Sequence, residues 1–501
     1  MNLTLGLLGL LPFLTLFLGL TLTRLKSFLV AAIVLVMSLL MGFFFWEAGP
    51  ALLGGAVLEG LVVAVVPIIW VIFAAVFTYL LSQETGAIEA MKQFLRRLSP
   101  DRNVQAVLIA FCLGGFLEAV AGFGTAVAIP TALLISIGFP PVRSAVIALV
   151  ANSVPVAFGA LGIPVIVLSQ ITELPVATLT WFVAVQLLPF AIFVPLALVL
   201  IANGGRRGAG ASLRDALVIG FAFTVAQTAI ARFLGPELVA VGGALAGLGV
   251  FALMRRVRGP EGAEARDYQP SAPLGIGKAT LNYAMLLVLV LATRLLPLPW
   301  LEEAPFRIGF EIQGHPQVID WLTTPGTLLL LSTMVGAAIQ GVSMRTILRN
   351  LGRTLNRIKF SALTILSIVA LAKVMGYSGI IDSVAEMLAA ASGSLYPLIA
   401  PILGAIGTFV TGSDTSSNIL LGQLQRQTAT QAGLPVEWVV ASNTSGATAG
   451  KMISPQSISV AASTVGMEHE ERNIMRSTIL YCVGYAVALG LYVLLVSRIL
   501  S

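Results

Sequence analysis

The sequence predicts an all-α polytopic membrane protein: about 12 full transmembrane helices plus two broken or re-entrant helical regions, in inverted-topology repeats. Three observations lead there. Of 501 residues, 57% are hydrophobic and 10% charged, against about 25% charged in ordinary soluble domains; the mean hydropathy is +0.96. Apolar runs of about 20 residues recur, the length that crosses a bilayer core. Two stretches inside apolar surroundings, AGFGTAVA from Ala121 and TGSDTSSN from Thr411, are dense in Gly and short polar side chains. A β-barrel would need alternating strands of about ten residues, which the sequence lacks.

The apolar runs fall at 2–22, 27–46, 56–81, 104–122, 176–202, 213–232, 236–254, 280–298, 323–342, 360–376, 395–411 and 476–499. The first, MNLTLGLLGLLPFL, has no basic leader or small-residue cleavage site and reads as a membrane segment, not a signal peptide. Basic clusters lie between the runs: Arg24/Lys26, Lys92/Arg96/Arg97/Arg102, Arg206/Arg207/Arg214, Arg255/Arg256/Arg258 and Arg345 to Lys359. The poorer loops hold Glu47, Glu173, Glu237 and Glu302/Glu303. Placing every basic cluster in the cytoplasm threads the spans without conflict and leaves both termini outside.

The net charge of +6 therefore belongs to loops beside a lipid bilayer and does not point to nucleic acid. Cys112 and Cys482 sit in apolar helices, and His315 and His469 in loop-like stretches, so no metal, haem or disulfide framework is expected and no cofactor is implied. A GxxxxGK[ST] phosphate loop is absent, which argues against an ATP-driven pump.

The two broken regions span 123–165 and 412–466, and they align. Gly122, Thr125 and Ile129 stand 290 residues before Gly412, Thr415 and Ile419. Asn152, Gly159 and Pro164 stand 291 before Asn443, Gly450 and Pro455; Thr85-Gly86 stands 293 before Ser378-Gly379. The chain accordingly divides into N-terminal membrane helices (1–55), a first repeat (56–202), connecting membrane helices (203–342) and a second repeat (343–501). The charge-based threading runs the helix before Gly122 outward and that before Gly412 inward. Inverted repeats with matching broken helices point to a secondary transporter whose site lies where the breaks meet.

Breaks leave backbone N–H and C=O groups that lipid cannot satisfy, tolerable only against protein or a water-filled cavity. Helix N-termini at the breaks carry partial positive charge and free donors suited to a carboxylate. Gly122 and Gly124 expose backbone there. Thr125, Asn152 and Ser153 surround the first break; Asp414, Thr415, Ser416, Ser417, Asn418, Asn443, Thr444 and Ser445 surround the second. Such side chains orient a small carboxylate, although short polar residues also serve close helix packing. Glu118 precedes the first break by four residues; an acid at that depth costs about 2.5–3.5 kcal/mol and usually faces a pathway or a partner. Glu118 and Asp414 are the candidate proton carriers, an ion pair locking the bundle being the alternative. Lys451 could neutralise a bound carboxylate, pair with either acid or snorkel to an interface. Gln456 follows the second break, and Gln186 is buried in its span; either could bond a neighbouring helix. Lys373 and Glu59 are expected to snorkel at span ends, and Arg143 and Arg426 to be loop charges.

FLEAVAGFG, ANSVPVAFGALGIP, TGSDTSSN and ASNTSGATAGKMISPQSIS together resemble the bacterial L-lactate permease family, and the similarity runs from about Pro67 to the last span. Ala119-Val120 and Thr125-Ala126 depart locally from the pattern. The resemblance implies a proton-coupled importer of 2-hydroxymonocarboxylates, chiefly L-lactate, glycolate and D-lactate, in the bacterial cytoplasmic (inner) membrane. It implies a fold shared with inverted-repeat ion transporters, some of which move as elevators. On that reading the substrate carboxylate meets the half-helix N-termini and Lys451, and the 2-hydroxyl bonds Asn152 or Asn443. H⁺ would couple through Glu118 or Asp414. Two alternatives keep the chemistry: Na⁺ coupling in the same fold, or a carboxylate-binding sensor or channel without coupling. An enzyme is not expected, because no His or Cys stands beside a base in the polar regions. Oligomeric state is left open.

Overall fold

The computed structural model describes residues 3–23, 25–87, 89–90, 99, 101–120, 122, 124–204, 209–258, 275–295, 303, 305–312, 315–463 and 470–500. Arg24, Lys92, Arg96, Arg97, Arg206, Arg207, Glu302 and His469, named above, lie outside these, as do Ala121 and Phe123 of the first break.

Helices α1 (Leu3–Leu22) and α2 (Ser27–Phe45) precede α3 (Pro50–Val63) and α4 (Trp70–Glu84). The last two join through a wide turn at Ala64–Ile69, where Val66 is extended at φ −127° and ψ 113°. Pro67 explains it, since a proline pushes the preceding residue out of the helical region. Next come α5 (Arg102–Val107) and α6 (Gly114–Val120), joined by a wide turn, then α7 (Thr125–Ser136), α8 (Pro141–Ala151), α9 (Gly159–Thr172) and α10 (Val176–Asn203). The connecting stretch holds α11 (Gly210–Phe233), α12 (Val239–Arg258) and α13 (Leu281–Leu295). It also holds one element that an all-helical reading leaves out, a hairpin of β1 (Arg307–Ile312) and β2 (His315–Asp320). Arg307 pairs with Asp320 and Ile312 with His315; the alternation of Ile308, Phe310 and Ile312 suits a strand. Then follow α14 (Pro325–Ile339), α15 (Met344–Tyr377), α16 (Ile380–Ser392), α17 (Tyr396–Thr411), α18 (Asp414–Gln431), α19 (Val436–Lys451), α20 (Pro455–Ser463) and α21 (Glu471–Leu500).

Among the described residues, eleven helical stretches are long and apolar enough to cross a membrane. One of them, Pro155–Thr172, falls largely inside the first broken region. The expected spans at 280–298 and 323–342 correspond to described helices of 15 residues each, which pack on one another.

The repeat is visible in the backbone. Gly122 and Gly412, the aligned break glycines, are both left-handed, at φ 55° and 71°, a conformation that side chains with a Cβ adopt only with strain. Gly86 and Gly379 share it, at 76° and 84°, and so do Gly138 and Gly433, at 95° and 64°, which turn α7 into α8 and α18 into α19. Each half thus runs helix, broken glycine, helical hairpin, second break and a long closing helix of 28 or 30 residues, α10 or α21. The halves differ where α3–α4 is bent by Pro67, whereas its mate α15 runs unbroken for 34 residues, and where α8 stops at Ala151, whereas its mate α19 runs on to Lys451.

Two large hydrophobic cores form. One gathers α5–α12 with α19 and α21; the other gathers α1, α2, α4, α9, α15, α16 and α18. Helices α17 and α19 pack against one another. A Cβ added at Gly446 would collide with the Pro401 carbonyl, and one at Gly450 with that of Ala405. Part of the small-residue run ASNTSGATAG therefore serves backbone approach.

Candidate functional site

A cavity of about 530 Å³ lies where the breaks meet. Its volume falls in the range of small-molecule sites, about 300–1,000 Å³. The first half contributes Glu118, Gly122, Gly124, Gly159, Ala160 and Pro164; the second contributes Thr411 to Ser416, Lys451 and Pro455 to Ser457. Leu20, Ser27, Ile72, Ser361, Thr364 and Ile365 close the remaining wall.

Three helix N-termini reach this space, those of α7, α18 and α20. Gly124 caps α7 in the left-handed region at φ 85°. Ser413 caps α18, its Oγ accepting from Ser416 N at 3.3 Å, and Ser454 Oγ accepts from Ser457 N at 3.2 Å to cap α20. Each end presents partial positive charge to an anion.

The ionisable groups are held unequally. Glu118, 5% exposed, accepts at Oε2 from Asn152 Nδ2 at 3.1 Å. Asp414, 3% exposed, begins α18, and neither of its carboxylate oxygens has a donor among the described residues. Lys451 Nζ donates to the Gly412 carbonyl at 2.5 Å, capturing an oxygen that the break sets free. No ion pair within 4.0 Å joins that ammonium to either acid among the described residues, although the charges of both act on it. Gly159 leaves the room Glu118 needs, for a Cβ there would stand 2.8 Å from Glu118 Oε1.

Of the residues singled out from the sequence, Glu118, Gly122, Gly124, Asp414, Thr415, Ser416, Lys451 and Gln456 line the cavity. The others stand behind its wall. Thr125 Oγ1 donates to Gly122 O at 2.9 Å and fastens the break. Ser153 Oγ turns back to Val150 O at 2.7 Å, and Ser417 Oγ reaches Gly404 O at 2.9 Å. Asn418 Nδ2 donates to Pro164 O at 2.9 Å and to Thr444 Oγ1 at 2.7 Å, which ties α18 to α9 and α19. Asn443 Nδ2 donates to Asn418 Oδ1 at 2.8 Å, and its own Oδ1 accepts from Gln425 Nε2 at 3.0 Å. Ser445 Oγ donates to Gln186 Oε1 at 2.8 Å, and Gln186 Nε2 to Trp438 O at 2.8 Å, so Gln186 bonds a neighbouring helix. Neither amide expected at a substrate 2-hydroxyl lies in the cavity wall: Asn443 bonds within this network, and Asn152 bonds Glu118.

Two sequence expectations are revised. Lys373 and Glu59 do not snorkel at span ends; Lys373 Nζ lies 2.7 Å from Glu59 Oε1, and Tyr377 OH donates to Glu59 Oε2 at 2.5 Å. Burial of Glu59 to 1% exposure demands such partners. Arg143 and Arg426 are not loop charges: Arg143 lies in the first turn of α8, and Arg426 lies within α18, its guanidinium 3.2 Å from Glu173. Sequence reasoning also missed Ser361 and Thr364. Their signal was present: two hydroxyls three residues apart on an apolar helix share one face.

A protein-family model described as L-lactate permease matches residues 6–500. The L-lactate permease of Streptococcus iniae is 36% identical over 449 residues, covering 87% of this chain and 93% of its own. The glycolate permease of Escherichia coli (strain K12) is 33% identical over 534 residues, covering 98% and 95%. The L-lactate permease of Bacillus subtilis (strain 168) is 33% identical over 523 residues, covering 94% and 92%. Among solved structures, the YdaH transporter of Alcanivorax borkumensis aligns over 92% of this chain and 98% of its own, with a TM-score of 0.53. At 14% identity that likeness concerns the fold alone.

Proposed function

Because the chain belongs to the L-lactate permease family, we propose that it is a secondary active transporter in the bacterial cytoplasmic membrane. It imports L-lactate and related 2-hydroxymonocarboxylates, glycolate and D-lactate among them, by proton symport. It acts as a carrier and not as a catalyst. The observation that carries this reading is the cavity itself, where three helix N-termini, one ammonium and two buried acids converge.

The substrate carboxylate meets the N-termini at Gly122–Gly124, Asp414–Ser416 and Pro455–Ser457, with Lys451 supplying a full positive charge. Thr415, Ser416 and Gln456 offer hydroxyl and amide groups to its polar atoms. Asn152 orients Glu118, while Ser153, Ser417, Asn418, Asn443, Thr444 and Ser445 hold the hairpins that present the site. The repeats 56–202 and 343–501 form this device, and 1–55 and 203–342 flank it. A monoanion entering beside Lys451 adds one negative charge. A proton taken up by Glu118 or Asp414 offsets it, so that loaded and empty carriers move with the same charge and neither bears an added penalty in the low-dielectric core.

Purified protein in liposomes, given labelled lactate and imposed proton or sodium gradients, tests this. Accumulation should follow the proton gradient, persist without Na⁺ and be competed by glycolate. Accumulation that follows only the Na⁺ gradient overturns proton coupling, and no accumulation under either gradient overturns transport.

A further inference from the structure

The repeat alignment that pairs Gly122 with Gly412 also pairs Ala160 with Lys451, one residue apart in offset. The structure gives that pairing physical content. A Cβ on Gly122 would meet the Ala160 methyl at 3.6 Å. At the other break Lys451 Nζ is bonded to Gly412 O at 2.5 Å. Corresponding positions thus stand beside corresponding break glycines, one offering a methyl group and the other an ammonium.

The surroundings of that ammonium are those a bare monovalent cation would seek. Broken membrane helices coordinate coupling ions through freed backbone carbonyls, and here the freed carbonyl is Gly412 O. Glu118 and Asp414 supply negative charge from two sides of the cavity, and the Asp414 oxygens have no donor among the described residues. The first half has no cation at the equivalent place, where Ala160 stands.

We propose that the Lys451 ammonium is a tethered counter-ion occupying the place at the Gly412 break that a coupling metal cation such as Na⁺ would take. This rests on the transport reading above and deepens it, because it names the residue that decides the coupling ion. An ammonium fixed to the chain supplies the charge a carboxylate substrate needs, but it cannot leave with the substrate. The ion that enters and leaves in each cycle must then use another group, and the neighbouring carboxyls exchange protons. Lys451 is accordingly an ion-selectivity residue: it keeps Na⁺ out and leaves coupling to H⁺.

The test is labelled-lactate exchange in liposomes, at equal pH on both sides, in choline, sodium or ethylammonium chloride. Wild type should exchange at the same rate in all three salts, within about twofold. In choline, Lys451→Ala should lose about 100-fold, the upper end for losing a hydrogen bond made by a charged group. Na⁺ or ethylammonium, free to enter the vacated space, should restore about tenfold or more. Lys451→Thr serves as a second variant, its hydroxyl adding an oxygen for the metal, and whichever elutes as folded protein is used. A folded variant that responds to neither cation overturns the proposal, as does one that keeps wild-type exchange in choline. A wild type that requires Na⁺ overturns it too. Wild type that exchanges lactate in no salt instead overturns the transport reading, which keeps the two failures apart.

Discussion

Asn152 Nδ2 donates to Glu118 Oε2 at 3.1 Å, joining the end of one helical hairpin to the only acid that the first half brings to the cavity among the described residues. The amide stands 34 residues along the chain from the acid. It leaves the second carboxylate oxygen, Oε1, facing the space that Gly159 keeps open.

Glu118→Gln keeps the shape and removes the titratable proton. Accumulation of lactate driven by a pH gradient should disappear, while exchange of lactate for lactate continues at a measurable rate. Uptake against the gradient at the wild-type level would show that Glu118 is not the coupling residue.

Asn152→Ala strips the donor from a buried carboxylate. A hydrogen bond to a charged group contributes about 1.5–3 kcal/mol, so exchange should fall roughly tenfold to 100-fold with unchanged protein in the membrane. Asn152→Gln, whose longer amide misplaces the same donor, should fall less than Asn152→Ala. Equal rates for wild type and both variants would remove Asn152 from the site.

Gly412→Ala and Gly122→Ala should differ, although the glycines are aligned. Both residues are left-handed, which costs a residue with a Cβ about 1–2 kcal/mol. A Cβ at Gly122 meets only ordinary contacts from 3.6 Å outward, whereas one at Gly412 collides with the Gln456 side chain. Thermal unfolding in detergent should rank wild type above Gly122→Ala and Gly122→Ala above Gly412→Ala. Gly412→Ala with Gln456→Gly should recover toward Gly122→Ala; no recovery would place the cost elsewhere.

Glu59 and Lys373 form a buried pair at 2.7 Å. Removing one partner strands the other, at about 3–5 kcal/mol, while neutralising both costs far less. Glu59→Gln, Lys373→Met and the double variant, compared by thermal unfolding, should place the double variant above either single one. Gln retains an acceptor for the Tyr377 hydroxyl. Additive losses would mean the two residues are not coupled.

The membrane class, the two breaks and their repeat were legible because each is a local property. Hydropathy records what a segment must be surrounded by, and a glycine such as Gly412 records a backbone angle other residues avoid. Glu118, Asp414 and Lys451 stood out in the sequence because an ionisable group in hydrocarbon is too costly to be incidental, and all three line the cavity. The hydroxyls and amides were not so easily sorted. Thr415 and Ser416 face the cavity, while Ser417 and Asn418, next along the same helix, turn into the packed interior. Nothing in their composition distinguishes the pairs; the rotation of α18 against α9 and α17 does. Glu59 and Lys373 were misjudged for a related reason, since they lie 314 residues apart and only the packing of α3 on α15 brings them together.

The sequence by itself therefore determined the membrane architecture, the positions of the breaks and the charged groups that had to be sheltered. The tertiary structure alone decided which partner each received: Asn152 for Glu118, a freed carbonyl for Lys451 and, among the described residues, none for Asp414. A residue's need for shelter is written in its own chemistry. The group that meets it comes from elsewhere in the chain and is chosen by how the helices pack.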